Sequence, residues 1–143
     1  MTQFSQIAKI KHNTVEQLQR ELQATQVNLQ LKESDLSALN DDFARLAFPP
    51  NGTIAEFERF SSASRIFRRD IEAVKREIFA LHQKTFQIRH HLKKALVEYE
   101  KINHLDKEEK MTLMLKAKKN ETKLLDEISI NARYTIGAAV ERY

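Results

Sequence analysis

The sequence contains very few of the residues that end helices and form turns. Its 143 residues include two glycines and two prolines, whereas an average chain of this length would hold about 17 of them. Sandwiches, barrels and alternating β/α folds need turn signals at short, regular intervals, so we expect none of these folds. Cysteine is absent, which excludes disulfides and thiolate metal sites.

Long apolar runs and a signal-peptide core are missing as well. No stretch approaches about 18 consecutive apolar residues, and the first residues, MTQFSQIAKIKHNTVEQ, mix charged, polar and apolar side chains. A secretory signal would show a continuous apolar segment there. We therefore expect a soluble, intracellular, helical protein, whose length fits one domain.

Three of the four helix breakers fall in one stretch, the PPNG at residues 49–52. Two consecutive prolines are incompatible with a helix at this point. Thr53 and Glu56 follow in a capping-box pattern, in which the threonine hydroxyl accepts a hydrogen bond from the amide three residues later. The sequence therefore predicts a helix over about 3–48, a turn at 49–52, and a second helix from 53 to about 130.

Apolar residues recur on both sides of this turn at the heptad spacing of a coiled coil. In the first segment the apolar heptad positions are Ala8, Val15, Leu22, Leu29, Leu36 and Phe43. The companion positions are weaker, namely Phe4, Lys11, Leu18, Thr25, Lys32, Leu39 and Leu46. After the turn, apolar residues recur three or four positions apart from Phe57 to Ile102, and only Ser64 and Thr85 interrupt this 3–4 ladder. The predicted fold is all-α, a long two-helix antiparallel coiled-coil hairpin.

The position of the turn also predicts which residues face each other. A chain that folds near residue 50 would place residue i opposite the residue numbered about 101 minus i. A tail from about residue 103 would then have no partner helix. The tail contains the charge-dense runs DKEEK and KAKKNETK. We expect it to be an unpaired C-terminal helical extension, either frayed or covered by another subunit.

Positive charge concentrates in the second helix, where residues 49–105 carry eleven basic and seven acidic residues. The basic residues between Arg65 and Arg76 could bind phosphates, which leaves a basic helical-arm nucleic-acid-binding protein as an alternative function. The acidic residues expected to neutralise them at helical spacing are Asp70, Glu72 and Glu77. We also expect no exposed aromatic residues to alternate with the arginines, so that nucleic-acid binding is the less favoured function.

Catalytic and metal sites find little support in the sequence. Two paired helices enclose no pocket in which catalytic groups could converge. None of the five histidines has another at the i,i+4 spacing of a helical zinc site, so we expect them to be solvent-exposed. No enzymatic activity, metal or cofactor is expected, and a generic structural coiled coil is a further alternative.

An aromatic cluster lies early in the second helix, at Phe57, Phe60 and Phe67. These positions fall on the predicted seam and are most simply core residues. Ile66 and Phe67 are adjacent, however, and cannot both face one partner helix. An apolar patch should therefore stay uncovered near the turn, where it is a candidate docking site.

Both ends of the chain carry short patterns that fit one known family. The opening reads Phe4-x-x-Ile7-x-x-Ile10-Lys11, and a late segment reads Glu121-x-Lys123-x-Leu125-Asp126-Glu127. A Glu/Gln/Leu-rich arm, the turn and an aromatic-led second arm lie between them. In order and length the whole chain resembles the flagellar FliJ family, small soluble components of the bacterial flagellar type III export apparatus.

This resemblance implies a coiled coil similar to the gamma stalk of rotary ATP synthases. It implies a protein that sits in the pore of the hexameric export ATPase, binds the cytoplasmic domain of the export-gate membrane protein and helps handle export chaperones. Its location would be the cytoplasm, peripheral to the inner membrane at the flagellar base. The implied gate-contacting residues are Phe60, Ala63, Phe67, Asp70 and Val74. The end that carries Phe4, Ile7 and the tail would enter the ATPase ring.

Overall fold

The computed structural model describes the backbone of residues 2–141 and the side chains of residues 2–137. It contains two helices, α1 at Gln3–Arg45 and α2 at Ile54–Glu141, with no strand among the described residues. The two helices pack against each other, so the predicted all-α helical hairpin is confirmed.

Helix α1 ends three residues before the predicted limit of about 48. A proline disfavours helical backbone in the residue before it, and Phe48, which precedes Pro49, lies outside the helix. The amide of Leu46 donates to the carbonyl of Phe43 at 3.1 Å and closes the last turn. The connection between the helices consequently occupies residues 46–53 rather than 49–52.

The start of α2 is capped by the threonine that the sequence predicts. The Oγ1 of Thr53 accepts a hydrogen bond from the Glu56 amide at 3.3 Å, and the Thr53 carbonyl accepts one from the Phe57 amide at 3.0 Å. Gly52 is in close contact with Pro49, since a Cβ at this glycine would lie 3.1 Å from two atoms of the proline ring. A larger residue at Gly52 would therefore press against the proline.

The connection packs along the first turns of α2 through its phenylalanine. The ring of Phe48 lies 5.8 Å from that of Phe57 and 5.1 Å from that of Phe60, both in edge-on geometry that aromatic pairs favour. Extended residues advance about 3.3 Å each and helical residues about 1.5 Å. The irregular segment at 46–49 therefore reaches past the end of α1 before the chain reverses.

Residues 13–97 form one compact unit, and their contacts define the register between the helices. The Nζ of Lys32 lies 2.9 Å from the Oε2 of Glu77, and the rings of Phe43 and Phe67 lie 5.9 Å apart. The numbers of these partners add to 109 and 110, so the predicted register of about 101 is wrong. The irregular segment at 46–49 explains the shift, because it lets α2 begin beyond the end of α1.

The core of this unit is a narrow seam that includes two polar residues. Its buried apolar residues are Val15, Ile71, Ile88 and Ala95. Thr25 and Thr85, which interrupt the apolar pattern, are also buried, and the register places them across from each other. Their hydroxyls donate to the backbone carbonyls four residues earlier, at 2.8 and 2.9 Å. Each polar atom is thus satisfied by its own helix.

A second compact unit contains the described residues of Met1–His12 and Glu98–Tyr143. In it the Nζ of Lys11 lies 2.9 Å from the Oε2 of Glu98, and the hydroxyl of Ser5 donates to Asp106 at 2.8 Å. Helix α2 is therefore paired as far as Asp106, beyond the expected start of the tail at about 103. Every side chain from 111 to 137 is exposed. That the chain forms a single domain stays a prediction.

Replacing Ile88 with Ala should destabilise the protein by about 2–4 kcal/mol, because the change leaves a cavity in the seam. Ile66→Ala is the matched control, since Ile66 lies on the same helix and is 52% exposed, and it should cost less than about 0.5 kcal/mol. Urea unfolding followed by circular dichroism measures both. Equal losses would contradict the seam assignment.

Candidate partner-binding surfaces

Three of the five residues expected at the export gate lie on the seam of the hairpin. Phe60, Phe67 and Val74 recur every seven residues and are half-buried. The Phe60 ring contacts that of Phe48, and the Phe67 ring contacts that of Phe43. These side chains therefore bury part of their apolar surface between the two helices.

The other two expected gate residues lie beside the seam. Ala63 is half-buried and Asp70 is exposed, and their spacing of seven residues places them along one side of α2. The five residues consequently do not form one open surface. Their role at a gate stays a prediction.

The apolar patch expected near the turn is present. Phe67 faces α1, as its contact with Phe43 shows, whereas the adjacent Ile66 is half exposed. Ile66 lines a shallow depression on α2 together with Ser62, Arg65 and Arg69. An exposed apolar side chain therefore lies between two arginines on this part of α2.

Of the three acidic residues expected to neutralise basic side chains of α2, Glu72 alone does so within the described residues. Glu77 binds Lys32 of α1 at 2.9 Å, and this hydrogen bond, more than any other effect, raises the pKa of Lys32. Glu72 lies 3.7 Å from Lys75. Asp70 forms no ion pair within the described residues. The arginines between these acids therefore keep their charge available at the surface.

Exposed aromatic residues also continue this basic stretch, contrary to expectation. Phe79 is 64% exposed and Phe86 is 75% exposed. They lie outside the 3–4 ladder and follow each other by seven residues, so they share one outer side of α2. Their seven-residue spacing, at positions outside the ladder, is the sequence signal that could have identified them as exposed aromatic residues.

The residues expected to enter the ATPase ring, Phe4 and Ile7, lie in the second compact unit. Phe4 is half-buried and Ile7 is exposed. Ser5, in the same turn of α1, binds a buried carboxylate, Asp106, which the sequence pattern did not single out. The hydroxyls of Thr2 and Ser5 both donate to its Oδ1. This arrangement joins the first turn of α1 to α2.

Hydrogen bonding gives Asp106 an unusually low pKa. The hydroxyl of Thr2 has the largest effect, followed by the ammonium of Lys110, whose Nζ lies 3.0 Å from Oδ2. Together with the bond from Ser5 they lower the pKa of Asp106 from 3.8 to about 2. The carboxylate therefore stays charged although it is buried.

The histidines occupy exposed positions, as the sequence predicts. Two of them lie near glutamates, His82 at 3.8 Å from Glu33 and His104 at 3.1 Å from Glu108. Among the described residues, no group of three or more His, Asp or Glu side chains is placed to hold a metal ion.

The family model described as "Flagellar FliJ protein" matches residues 1–135, almost the whole chain. The chain belongs to the FliJ family. No curated protein and no solved structure gives a significant match to it. Membership of the FliJ family makes this protein a component related to flagellar export, with partners in the export apparatus.

Within the described residues, neither helix contains a segment that is both long and apolar enough to cross a bilayer.

Changing Asp106 to Asn should lower the thermal midpoint of this FliJ-family protein at neutral pH. Because folding lowers the Asp106 pKa from 3.8 to about 2, the carboxylate stabilises the fold above pH 3.8. That contribution is lost as the pH falls through about 2. Thermal melts followed by circular dichroism should show the two proteins converging over this interval.

Asp126→Asn is the matched control, since Asp126 lies on the exposed part of α2 and should melt like the unchanged protein. A difference between D106N and the unchanged protein that stays constant down to pH about 2 would contradict the role of the carboxylate.

Proposed function

We propose that this protein is a non-enzymatic central stalk in the hexameric export ATPase, and that it links the ATPase to the export gate and to export chaperones. The family match over residues 1–135 carries this proposal. The protein would act in the cytoplasm, peripheral to the inner membrane at the flagellar base. It would thereby support assembly of the flagellum, and so motility and chemotaxis.

The proposed contact with the ATPase ring uses the second compact unit, which contains the described residues of Met1–His12 and Glu98–Tyr143. Ile7 is 41% exposed and lies one turn from Phe4. On α2 the side chains beyond residue 110 leave apolar groups in solvent, among them Met114, Leu124 and Ile128. Exposed apolar side chains of this number mark a surface for protein partners.

The proposed coupling follows from the uneven surface of two paired helices. Six identical ATPase subunits around one stalk meet different side chains, because the stalk lacks their symmetry. Contacts that differ in free energy between subunits shift each subunit toward a different conformation. The stalk can therefore order the states of the ring without any chemistry of its own.

The proposed gate contact uses α2 near the turn. Of the predicted residues Phe60, Ala63, Phe67, Asp70 and Val74, only Asp70 is exposed, and the others are half-buried. A gate segment would therefore contact Asp70 and the exposed edges of the other four. The neighbouring Ile66 offers the apolar area that an interface needs at its centre.

Adding the protein to the purified export ATPase hexamer should change its turnover, measured as phosphate release. Ile7→Asp should weaken this effect about fivefold or more, as loss of an interface anchor does. Val97→Asp, which changes another partly exposed apolar residue on α2, is the control and should retain the effect. No effect of the unchanged protein on turnover or hexamer assembly would contradict the stalk.

A second candidate function is nucleic-acid binding, which the exposed Phe79 and Phe86 beside unpaired arginines favour. Aromatic rings stack on bases, and arginines bind phosphates. Fluorescence anisotropy with a single-stranded RNA oligonucleotide should then show an affinity that falls about 20-fold or more between about 50 and 200 mM salt, as expected for three arginine–phosphate contacts. Absence of binding at the lower salt concentration would exclude this function.

A further inference from the structure

The outer side of α2 carries three arginines without acidic partners. Arg68, Arg69 and Arg76 are exposed, and none of them forms an ion pair within residues 2–137. Of the two acidic residues between them, Glu72 lies near Lys75 instead, and Asp70 forms no ion pair within the described residues. We call the surface formed by these arginines with Phe79 and Phe86 the basic face.

The outer side of α1 carries the opposite charge. Asp35, Asp41 and Asp42 are exposed, and no ion pair to any of them is present in the part of the chain that the structure describes. Asp35 has only a minor effect in raising the pKa of Lys32. We call the surface formed by these aspartates with Ala24 and Leu31 the acidic face.

Both faces expose apolar side chains at the same spacing. Phe79 and Phe86 are seven residues apart on α2, and Ala24 and Leu31 are seven residues apart on α1. Leu31 is 61% exposed, and alanine leaves room for a large ring. Seven helical residues span about 10.5 Å, so two large rings could pack on one leucine and one alanine together.

One antiparallel arrangement satisfies the apolar and the charged positions together. If α1 of one copy lay antiparallel to α2 of the other, with facing residue numbers that add to 110, Leu31 would pair with Phe79 and Ala24 with Phe86. The charged pairs that this arrangement forms on either side are Asp35 with Arg76, Asp42 with Arg69, and Asp41 with Arg68. The match ends where Arg20 would meet Arg89, since these side chains have the same charge.

The two faces cannot meet within one chain. Leu31 lies between the seam positions Leu29 and Lys32, and it is exposed because it points away from α2. Phe79 follows the seam position Ile78 and points away from α1 in the same way. The seam therefore separates the acidic face from the basic face.

We infer that the basic face of one copy of this protein binds the acidic face of a second copy. The charges and apolar residues that complement each face are already present on the same chain. This association goes beyond the proposed stalk function and does not depend on it.

The contact uses a different surface on each partner, so each bound copy keeps one free face. Such heterologous contacts continue into rows unless they close into a ring. The matched segment covers residues 24–42 of α1, about 28 Å of helix, and its ion pairs are exposed to solvent. The association should therefore be weak, dependent on concentration and reduced by salt.

Sedimentation velocity of the full chain tests this inference. Between about 1 μM and 1 mM protein, the unchanged chain should associate at about 50 mM salt and dissociate at about 500 mM. The double variants R69E/R76E and D35K/D42K each destroy one face, and each should weaken self-association about tenfold or more. K116E/K119E reverses two charges on the exposed tail and should associate like the unchanged chain.

Mixing the two double variants provides the decisive measurement. R69E/R76E keeps its acidic face and D35K/D42K keeps its basic face, and the reversed charges of one variant complement those of the other, so an equimolar mixture should regain the self-association of the unchanged chain. Circular dichroism of each variant confirms that it is folded. The inference is overturned by an unchanged chain that stays monomeric at low salt. It is equally overturned by face variants that associate as the unchanged chain does, or by a mixture that forms no dimer.

Discussion

The pairing of two helices along a single seam constrains every other feature of this molecule. A heptad seam buries about two residues in every seven of each helix, and the remaining side chains stay at the surface. Val15, Ile71, Ile88 and Ala95 supply the apolar core of residues 13–97. Most side chains of the described residues therefore lie at the surface, where partners can contact them, which agrees with membership of a family of export components.

Lysines and threonines in the seam are accommodated by ion pairs and hydrogen bonds. Lys32 extends out of the seam to reach Glu77, and Lys11 reaches Glu98 in the same way. The hydroxyls of Thr25 and Thr85 donate hydrogen bonds to backbone carbonyls of their own helices. The long lysines also fix which residues face each other, since a shift by one heptad would separate each ion pair.

The helical class, the turn and its threonine cap could be predicted from sequence because they depend on local chemistry. Paired prolines and heptad spacing are local signals, whereas register is set by the path of the connection. That path depends on Phe48 packing against α2, which no spacing rule reports. The buried Asp106 was missed for the same reason, because its partners Thr2 and Ser5 lie more than a hundred residues away in sequence. Phe79 and Phe86 lie beside the apolar ladder and not on it, so a prediction built on the ladder alone does not place them at the surface.

The bonds to Asp106 have a mechanical consequence for the end of α1. Helix ends ordinarily fray because their first amides lack partners, but here the first turn is held by a carboxylate of the other helix. The same carboxylate holds Lys110, the last residue before the exposed part of α2. A partner that twists or pulls α2 at this point would loosen Thr2 and Ser5, and with them the turn that carries Phe4 and Ile7. A single side chain thus links the start of α1 to the point on α2 where its exposed part begins.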